Sequence, residues 1–169
     1  MSIQAAALAG DTFRAPPSSL PAVAKQVWWY GGKVGVKLTA AQTGGRVGMW
    51  VWDALRGAAA PMHVHHREDE SFLVVEGQAR LFVRDQRIDA RAGDCVVLRR
   101  EVPHAYLITS ETARLIGIAS PGGFEAFFTE LGAPVVAGAQ PAEPPDADLM
   151  ARTAADHGVE ILGPPPTLD

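Results

Sequence analysis

The sequence has a single cysteine and no long hydrophobic run. Cys95 is the only cysteine among 169 residues, which excludes an internal disulfide and fits a reducing compartment. No stretch approaches the roughly 20 apolar residues of a membrane helix. The start MSIQAAALAG lacks the basic residues and long apolar core of a signal peptide. We therefore expect a cytoplasmic protein with no membrane partner, in which Cys95 is a small buried residue rather than a nucleophile.

An excess of positive charge is also missing. Fifteen Lys and Arg residues stand against nineteen Asp and Glu residues, and the formal net charge is −4. This balance gives no reason to expect a nucleic-acid partner. Apolar residues make up 47% of the chain and charged residues 20%, which is ordinary for one globular domain.

The central part of the chain is typical of short strands. Residues 79–84 and 87–92 alternate with a period of two, which predicts half-buried strands joined by a hairpin turn at 84–87. Turn signals recur along the rest of this part. Short strands with frequent turns predict an all-β sandwich or barrel.

The two ends differ from this centre. Residues 14–22 carry three prolines and two serines, which is typical of an extended arm. Residues 124–132 and 146–158 have helical patterns, and Asp146 is a candidate N-cap. A proline-rich linker is predicted at 139–145. The predicted organisation is an N-terminal arm (1–26), a β-barrel (27–121) and C-terminal helices with a tail that pack on the barrel (122–169).

Histidine is rare, yet three of the five histidines lie within residues 61–70. His63 and His65 are two apart on a predicted strand, so both imidazoles point to the same face, whereas His66 points to the other. Histidines with this spacing are also common as plain surface or interface residues. The choice between the two interpretations depends on what accompanies them.

Two further candidate ligands follow. Glu70 comes five residues after His65, where a bend can bring its carboxylate back, and His104 begins a later strand. Strands distant in sequence become neighbours in a barrel. Three neutral imidazoles and one carboxylate suit a divalent transition metal: Fe, Mn, Co, Ni, Cu or Zn. We therefore predict a single metal bound by His63, His65, Glu70 and His104.

The segment GAAAPMHVHHREDESFLVVEG (57–77) resembles the first motif of the cupin superfamily, G-x5-H-x-H-x4-E-x6-G, at all five fixed positions. The second motif is matched in part, by Gly93 and His104. It departs at three positions, where proline, glycine and asparagine are usual: Arg99, Glu101 and Ile108. We expect the change at Glu101 to alter the turn but to leave His104 in place.

The resemblance implies a fold and a chemistry. The fold is a cupin barrel, that is, an all-β double-stranded β-helix or jelly roll, here with short C-terminal helices. The chain is similar to small cupins of the quercetin 2,3-dioxygenase-like group. In that group the same four positions bind the metal, and the glutamate, here Glu70, also acts as a base on the substrate hydroxyl. Small cupins commonly form homodimers through β-strands, and the apolar segment 27–30 is a candidate edge for that contact.

These features predict an enzyme for a small aromatic molecule, most simply a dioxygenase of a flavonol or another aromatic enol. Two alternatives stay open: a non-redox cyclase, isomerase, lyase or decarboxylase that tailors a secondary metabolite, and a non-catalytic binding protein. Tyr106 has the strand parity of His104 and is a candidate substrate contact. Further candidates, for which core packing is the rival interpretation, are Trp50, Trp52, Met62 and Phe72.

Overall fold

The computed structural model describes residues 26–136 and 146–168. The predicted arm therefore lies outside the described residues except for Gln26, and the predicted linker 139–145 lies outside them entirely. Within the described ranges, no helix has the length and apolar character needed to cross a membrane.

The described residues form mainly strands. Their bounds are β1 (Gln26–Trp29), β2 (Gly32–Leu38), β3 (Gly48–Leu55), β4 (Ala59–His65), β5 (Asp69–Glu76), β6 (Gln78–Val83), β7 (Gln86–Arg91), β8 (Cys95–Leu98), β9 (His104–Ile108), β10 (Thr112–Ser120), β11 (Ala133–Pro134) and β12 (Val159–Gly163). Three helices accompany them: α1 (Ala40–Thr43), α2 (Glu125–Leu131) and α3 (Ala147–Asp156).

The strands form two antiparallel sheets. One has seven strands in the order β11-β1-β2-β3-β10-β5-β8, and the other has five in the order β12-β4-β9-β6-β7. The core lies between them, with Trp50 and Phe72 from the larger sheet and Leu81 and Tyr106 from the smaller. This confirms the predicted all-β jelly roll with short C-terminal helices.

Period-two alternation decides which side chains enter the core. Along β3, Trp50, Trp52 and Ala54 are buried, and the residues between them are more exposed. The partner strand β10 places Gly117 directly opposite Trp50. A methyl group added at Gly117 would lie 2.2 Å from the indole of Trp50. Because glycine has no side chain, it leaves the space that this indole occupies.

The predicted hairpin is formed by β6 and β7. Val83 pairs with Gln86, so the loop is Arg84 and Asp85, shorter than the predicted turn at 84–87. Arg84 has a φ of +55°, the left-handed conformation that tight two-residue hairpin loops require.

The two predicted C-terminal helices are present with shorter bounds. In α2, Phe127 and Phe128 pack edge-on against Trp29, with ring centroids 5.2 and 5.3 Å apart. The side chain of Asp146 accepts hydrogen bonds from the first turn of α3, as predicted for an N-cap. His157 then ties the end of α3 to α2, because its Nε2 lies 2.8 Å from Glu130.

The C-terminal segment also contributes strands. β12 pairs with β4, with Val159 opposite His65 and Ile161 opposite His63. The tail is therefore a sheet strand beside the histidine-bearing strand, and not merely a segment packed on the surface. The boundaries at 26 and 121 stay predictions.

Two expectations need correction, one about a free sheet edge and one about the burial of Cys95. Segment 27–30 is not a free edge, because β1 is hydrogen-bonded to β2 on one side and to β11 on the other. The homodimer itself stays a prediction. Cys95 is exposed rather than buried, because β8 is the last strand of the larger sheet and Cys95 and Val97 lie on its outer face.

Candidate metal centre

The three candidate ligand histidines come from two adjacent strands of the smaller sheet. His63 on β4 lies directly opposite His104 at the start of β9, and their ring centroids are 4.3 Å apart. His65 follows on the same face of β4, and its ring is parallel to that of His104 at 5.5 Å. All three side chains are buried, with at most 6% of the residue exposed.

Glu70 reaches the histidines from the opposite sheet. The chain leaves β4 after His65 and crosses in residues 66–68 to β5 in the larger sheet. Glu70 Oε2 then lies 3.4 Å from His104 Nε2 and 3.9 Å from His65 Nε2. One ligand atom from each of the four residues lies within 4.8 Å of the others. The centre therefore joins the two sheets across the barrel interior.

The outer nitrogen of each histidine has a protein partner. His63 Nδ1 donates to the carbonyl of Pro61 at 2.7 Å, and His104 Nδ1 donates to that of Val102 at 2.8 Å. His65 Nδ1 donates to the carboxylate of Glu68. These partners place the proton on Nδ1 in each ring, which leaves Nε2 with a free lone pair as a metal ligand.

The inner atoms, in contrast, lack partners. Among the described residues, the buried side-chain atoms without a hydrogen bond include His65 Nε2, His104 Nε2 and Glu70 Oε2. Leaving buried polar atoms unsatisfied costs free energy, on the order of 1–3 kcal/mol each. A cation would satisfy these atoms at once, and a divalent transition metal prefers this mixture of imidazole and carboxylate. The residues present therefore fit the predicted metal.

The electrostatics agree with this set of ligands. Burial lowers the pKa of His63 from 6.5 to about 3, helped by the neighbouring His104 and His65, so the ring is neutral at neutral pH. Burial alone would raise the pKa of Glu70, but the adjacent imidazoles, His104 first among them, outweigh it and lower that pKa. The site thus offers a neutral nitrogen at His63 and an ionised carboxylate at Glu70.

A small cavity of about 30 Å³ lies next to His63. Tyr106 lines it, and burial, together with the charge of Glu70, keeps the pKa of Tyr106 well above its usual value. The phenol is therefore a neutral hydrogen-bond donor. Aromatic and aliphatic side chains from β1, from α2 and the residue before it, and from α3 and β12 form much of the remaining wall: Trp29, Phe124, Phe127, Phe128, Met150, Val159 and Ile161.

The other predicted substrate contacts do not line this cavity. Trp50, Trp52 and Phe72 are fully buried in the core, where Trp50 contacts Phe72 and Phe124 and Trp52 contacts Tyr106. Met62 lies on β4 beside β12 and is half-buried. Their role in substrate binding stays a prediction, and their positions agree with the alternative of core packing.

Two residues near the centre were missed. All four residues of segment 67–70 are charged, a composition typical of a solvated loop apart from the candidate ligand Glu70, yet Glu68 is only 3% exposed and bonds to His65. Phe124 lies edge-on to the His65 ring, with centroids 4.6 Å apart. The helical pattern predicted a packing role for Phe124 but gave no sign of this contact, and for Glu68 the one clue is its position three residues after a ligand.

The departure from the second motif leaves His104 in the site, as expected. Glu101 has a φ of +60°, so this position needs the left-handed conformation that glycine adopts most easily. The backbone N–H of Glu101 donates to the carbonyl of His65 at 2.8 Å. This bond holds the loop before His104 against the end of β4 despite the glutamate.

Comparison with known families adds an independent match. Residues 50–119 match the family described as "Cupin domain", and this range contains all four candidate ligands. The chain contains a cupin domain. The chain is also 33% identical over 82 residues to the quercetin 2,3-dioxygenase of Bacillus subtilis, a match that covers 48% of this chain. The matched part is 24% of that relative's length, so the chain spans about a quarter of it.

Solved structures agree on the fold. KdgF from Halomonas sp. superimposes with a TM-score of 0.52 at 19% identity, over 57% of this chain and 85% of that one. A variant of Bacillus subtilis oxalate decarboxylase gives 0.53 at 20% identity, over 59% of this chain and 28% of that one. At such identities these similarities establish the fold alone.

Proposed function

We propose that this cupin is a metal-dependent dioxygenase that acts on a small aromatic enol such as a flavonol. The observation that carries the proposal is the convergence of four buried ligand atoms, three of them without a protein partner, beside a cavity with aromatic walls. The similarity to quercetin 2,3-dioxygenase over 82 residues supports the choice of substrate class.

The metal is a single divalent ion of Fe, Ni, Mn, Co, Cu or Zn, held by His63, His65, Glu70 and His104. When bound, it supplies positive charge that stabilises a deprotonated substrate oxygen and, if redox-active, a route for electrons to dioxygen. The hydrogen bonds of their outer nitrogens hold the proton of each histidine on Nδ1, which leaves each Nε2 lone pair for the metal.

Glu70 is the proposed base. Its carboxylate is ionised and buried beside the ligand nitrogens, so it can take the proton of the substrate enol hydroxyl at Oε2. The resulting enolate is electron-rich, and its reaction with dioxygen, the oxidant, would form carbon–oxygen bonds to both oxygen atoms while a carbon–carbon bond of the ring breaks. Tyr106, a neutral phenol in the cavity wall, is placed to orient a substrate oxygen.

The cavity must enlarge to admit such a substrate. Its volume of about 30 Å³ has room for very few water molecules, whereas ligand pockets usually measure about 300–1,000 Å³. Side chains of α2, α3 and β12 form nearly half of the wall, so entry has to displace some of them. A substrate smaller than a flavonol would displace fewer of these side chains. For this reason a non-redox reaction on a smaller molecule is the second candidate function.

Oxygen consumption tests the proposal. Metal-free protein would be reloaded separately with each of the six metals and mixed with a panel of flavonols and other enols, under air and under nitrogen. We expect one metal to support oxygen uptake equal to the substrate consumed, with no turnover under nitrogen. Equal turnover under both gases would replace the dioxygenase by a non-redox enzyme. Binding without turnover across the panel would favour a binding protein.

A further inference from the structure

The three ligand histidines differ in what holds their outer nitrogens. Backbone carbonyls accept from His63 and His104, whereas a buried side-chain carboxylate accepts from His65. We propose that Glu68 is a positioning residue for the metal: it fixes the ring and tautomer of His65 and strengthens Nε2 as a ligand. This inference rests on the metal site and does not depend on the dioxygenase reaction.

The burial of Glu68 indicates a specific role. Its neighbours in sequence find partners nearer the surface: Arg67 donates to the carbonyl of Asp156, and Asp69 pairs with Arg100. Glu68 instead turns inward, with 4% of its side chain exposed. Burying a carboxylate is costly unless a donor compensates for lost water, and His65 Nδ1 is that donor. A residue needed only for solubility would face the solvent.

The carboxylate affects His65 in two ways. Because it accepts from Nδ1, it holds the proton there and keeps the lone pair on Nε2, which faces Glu70 at 3.9 Å. Together with the edge-on contact of Phe124, it also limits rotation of the ring. A negative acceptor raises the electron density of the imidazole more than a carbonyl does, and such partners typically change metal affinity by about 10–100-fold.

Two variants of Glu68 separate orientation from charge. Glu68→Gln keeps an oxygen that can accept from Nδ1 but removes the charge, whereas Glu68→Ala removes both. The matched control is Glu101→Gln. Glu101 contacts His66, which follows His65 in the sequence and lies on the outer surface, so this change removes the same charge from a glutamate beside a histidine outside the site. Its side chain touches no candidate ligand among the contacts described.

Metal affinity and spectroscopy provide the readouts. Co²⁺ and Zn²⁺ affinities would be measured by chelator competition. The absorption spectrum of the Co²⁺ form and the electron paramagnetic resonance spectrum of the Cu²⁺ form would be recorded. Melting temperatures would be measured with and without metal. We expect affinity to fall by about 100-fold in Glu68→Ala and by about 10-fold in Glu68→Gln, with altered spectra and a smaller rise in melting temperature on metal addition. Glu101→Gln should match the wild type in every readout.

The outcomes distinguish the possible failures. Glu68 variants with lower metal-free stability but wild-type affinity and spectra would reduce Glu68 to a structural residue and overturn the proposal. If Glu68→Ala does not fold, the nearly isosteric Glu68→Gln still decides. A wild-type protein that binds neither metal would overturn the metal site and this role together. Normal metal binding without oxygen chemistry would overturn only the proposed reaction.

Discussion

Two histidine–glutamate pairs lie one residue apart at the end of β4, one inside the barrel and one on its surface. His65 donates to Glu68, and both side chains are almost completely buried. His66 lies between Glu101 and Glu160, at 3.0 and 3.3 Å, with 42% of its side chain exposed. The residue types are the same, so the environment alone separates a candidate ligand from a surface contact.

The environment acts through water. On the surface, water solvates each partner of a pair and screens their attraction, so that such pairs contribute little to stability. Inside, each group has lost its water and depends on its partner, and removing one partner leaves an uncompensated polar group. The comparison therefore predicts large effects for changes to the inner set and small ones for changes to the outer set.

The largest expected effect is loss of metal from His65→Ala, set against His66→Ala. The first removes a metal ligand and also leaves Glu68 without its hydrogen-bond donor. We therefore expect metal affinity to fall by more than about 100-fold, which exceeds the usual effect of losing a residue that only hydrogen-bonds to a ligand. The second should leave metal affinity within about twofold of the wild type, because His66 points away from the centre. Chelator competition and elemental analysis measure both. Equal losses in the two variants would contradict the distinction between inside and outside.

Glu70→Gln should impair turnover more than metal content. The amide keeps one oxygen for the metal but cannot take the proton of the substrate hydroxyl, so we expect kcat to fall by about 100- to 10,000-fold, the usual contribution of a positioned base. Three histidines remain to hold the metal. Steady-state kinetics, normalised to metal content, check the result. Full activity in this variant would remove the base from the proposed mechanism.

Acid should destabilise the metal-free protein through His63. The folded pKa of His63 is about 3, below its ordinary 6.5, so between these values the unfolded chain binds more protons than the folded one. The free energy of unfolding should therefore fall as pH is lowered from about 6.5 to about 3. At about 1.4 kcal/mol per pKa unit, the change is on the order of a few kcal/mol. The lowered pKa of Glu70 acts in the same direction below its ordinary 4.5.

The pH dependence of stability expected from His66, the outer histidine, has the opposite sign. Hydrogen bonding to Glu101 raises the pKa of His66 in the folded protein. The contribution of His66 to the free energy of unfolding is therefore present below pH 6.5 and is lost as pH rises through the raised pKa. Urea unfolding of the metal-free protein from pH 3 to 8 would test this comparison. His63→Asn should flatten the acid-side slope, and His66→Asn should retain it. A slope that survives His63→Asn unchanged would show that other groups cause the acid sensitivity.

Sequence patterns predicted much of this architecture because the relevant spacing is local. Alternation identified the β6–β7 hairpin, and the spacing of His63 and His65 placed both imidazoles on one face. The motif also predicted that Glu70 and His104 would join them. That Glu70 arrives from the other sheet could not be predicted, because sheet membership is set by pairing with β10 and β8, strands distant in sequence.

The errors have a shared physical cause. Alternation defines two faces of a strand but not which one is inward, and Cys95 was assigned to the wrong one. Likewise, a run of charged residues normally indicates a solvated loop, and Glu68 departs from this because a partner in the interior compensates for its burial. Neither the edge position of β8 nor the inner partner is visible in the local sequence.

The smallest expected effect is that of Glu160→Gln. This change removes one of the two carboxylates beside His66, and 61% of the Glu160 side chain is exposed. Since solvent screens the pair, we expect the melting temperature at neutral pH to match the wild type within error, and added salt to change neither protein relative to the other. Differential scanning calorimetry at low and high salt measures this. A clear destabilisation that salt abolishes would show that the surface pair matters after all and would narrow the contrast with His65 and Glu68.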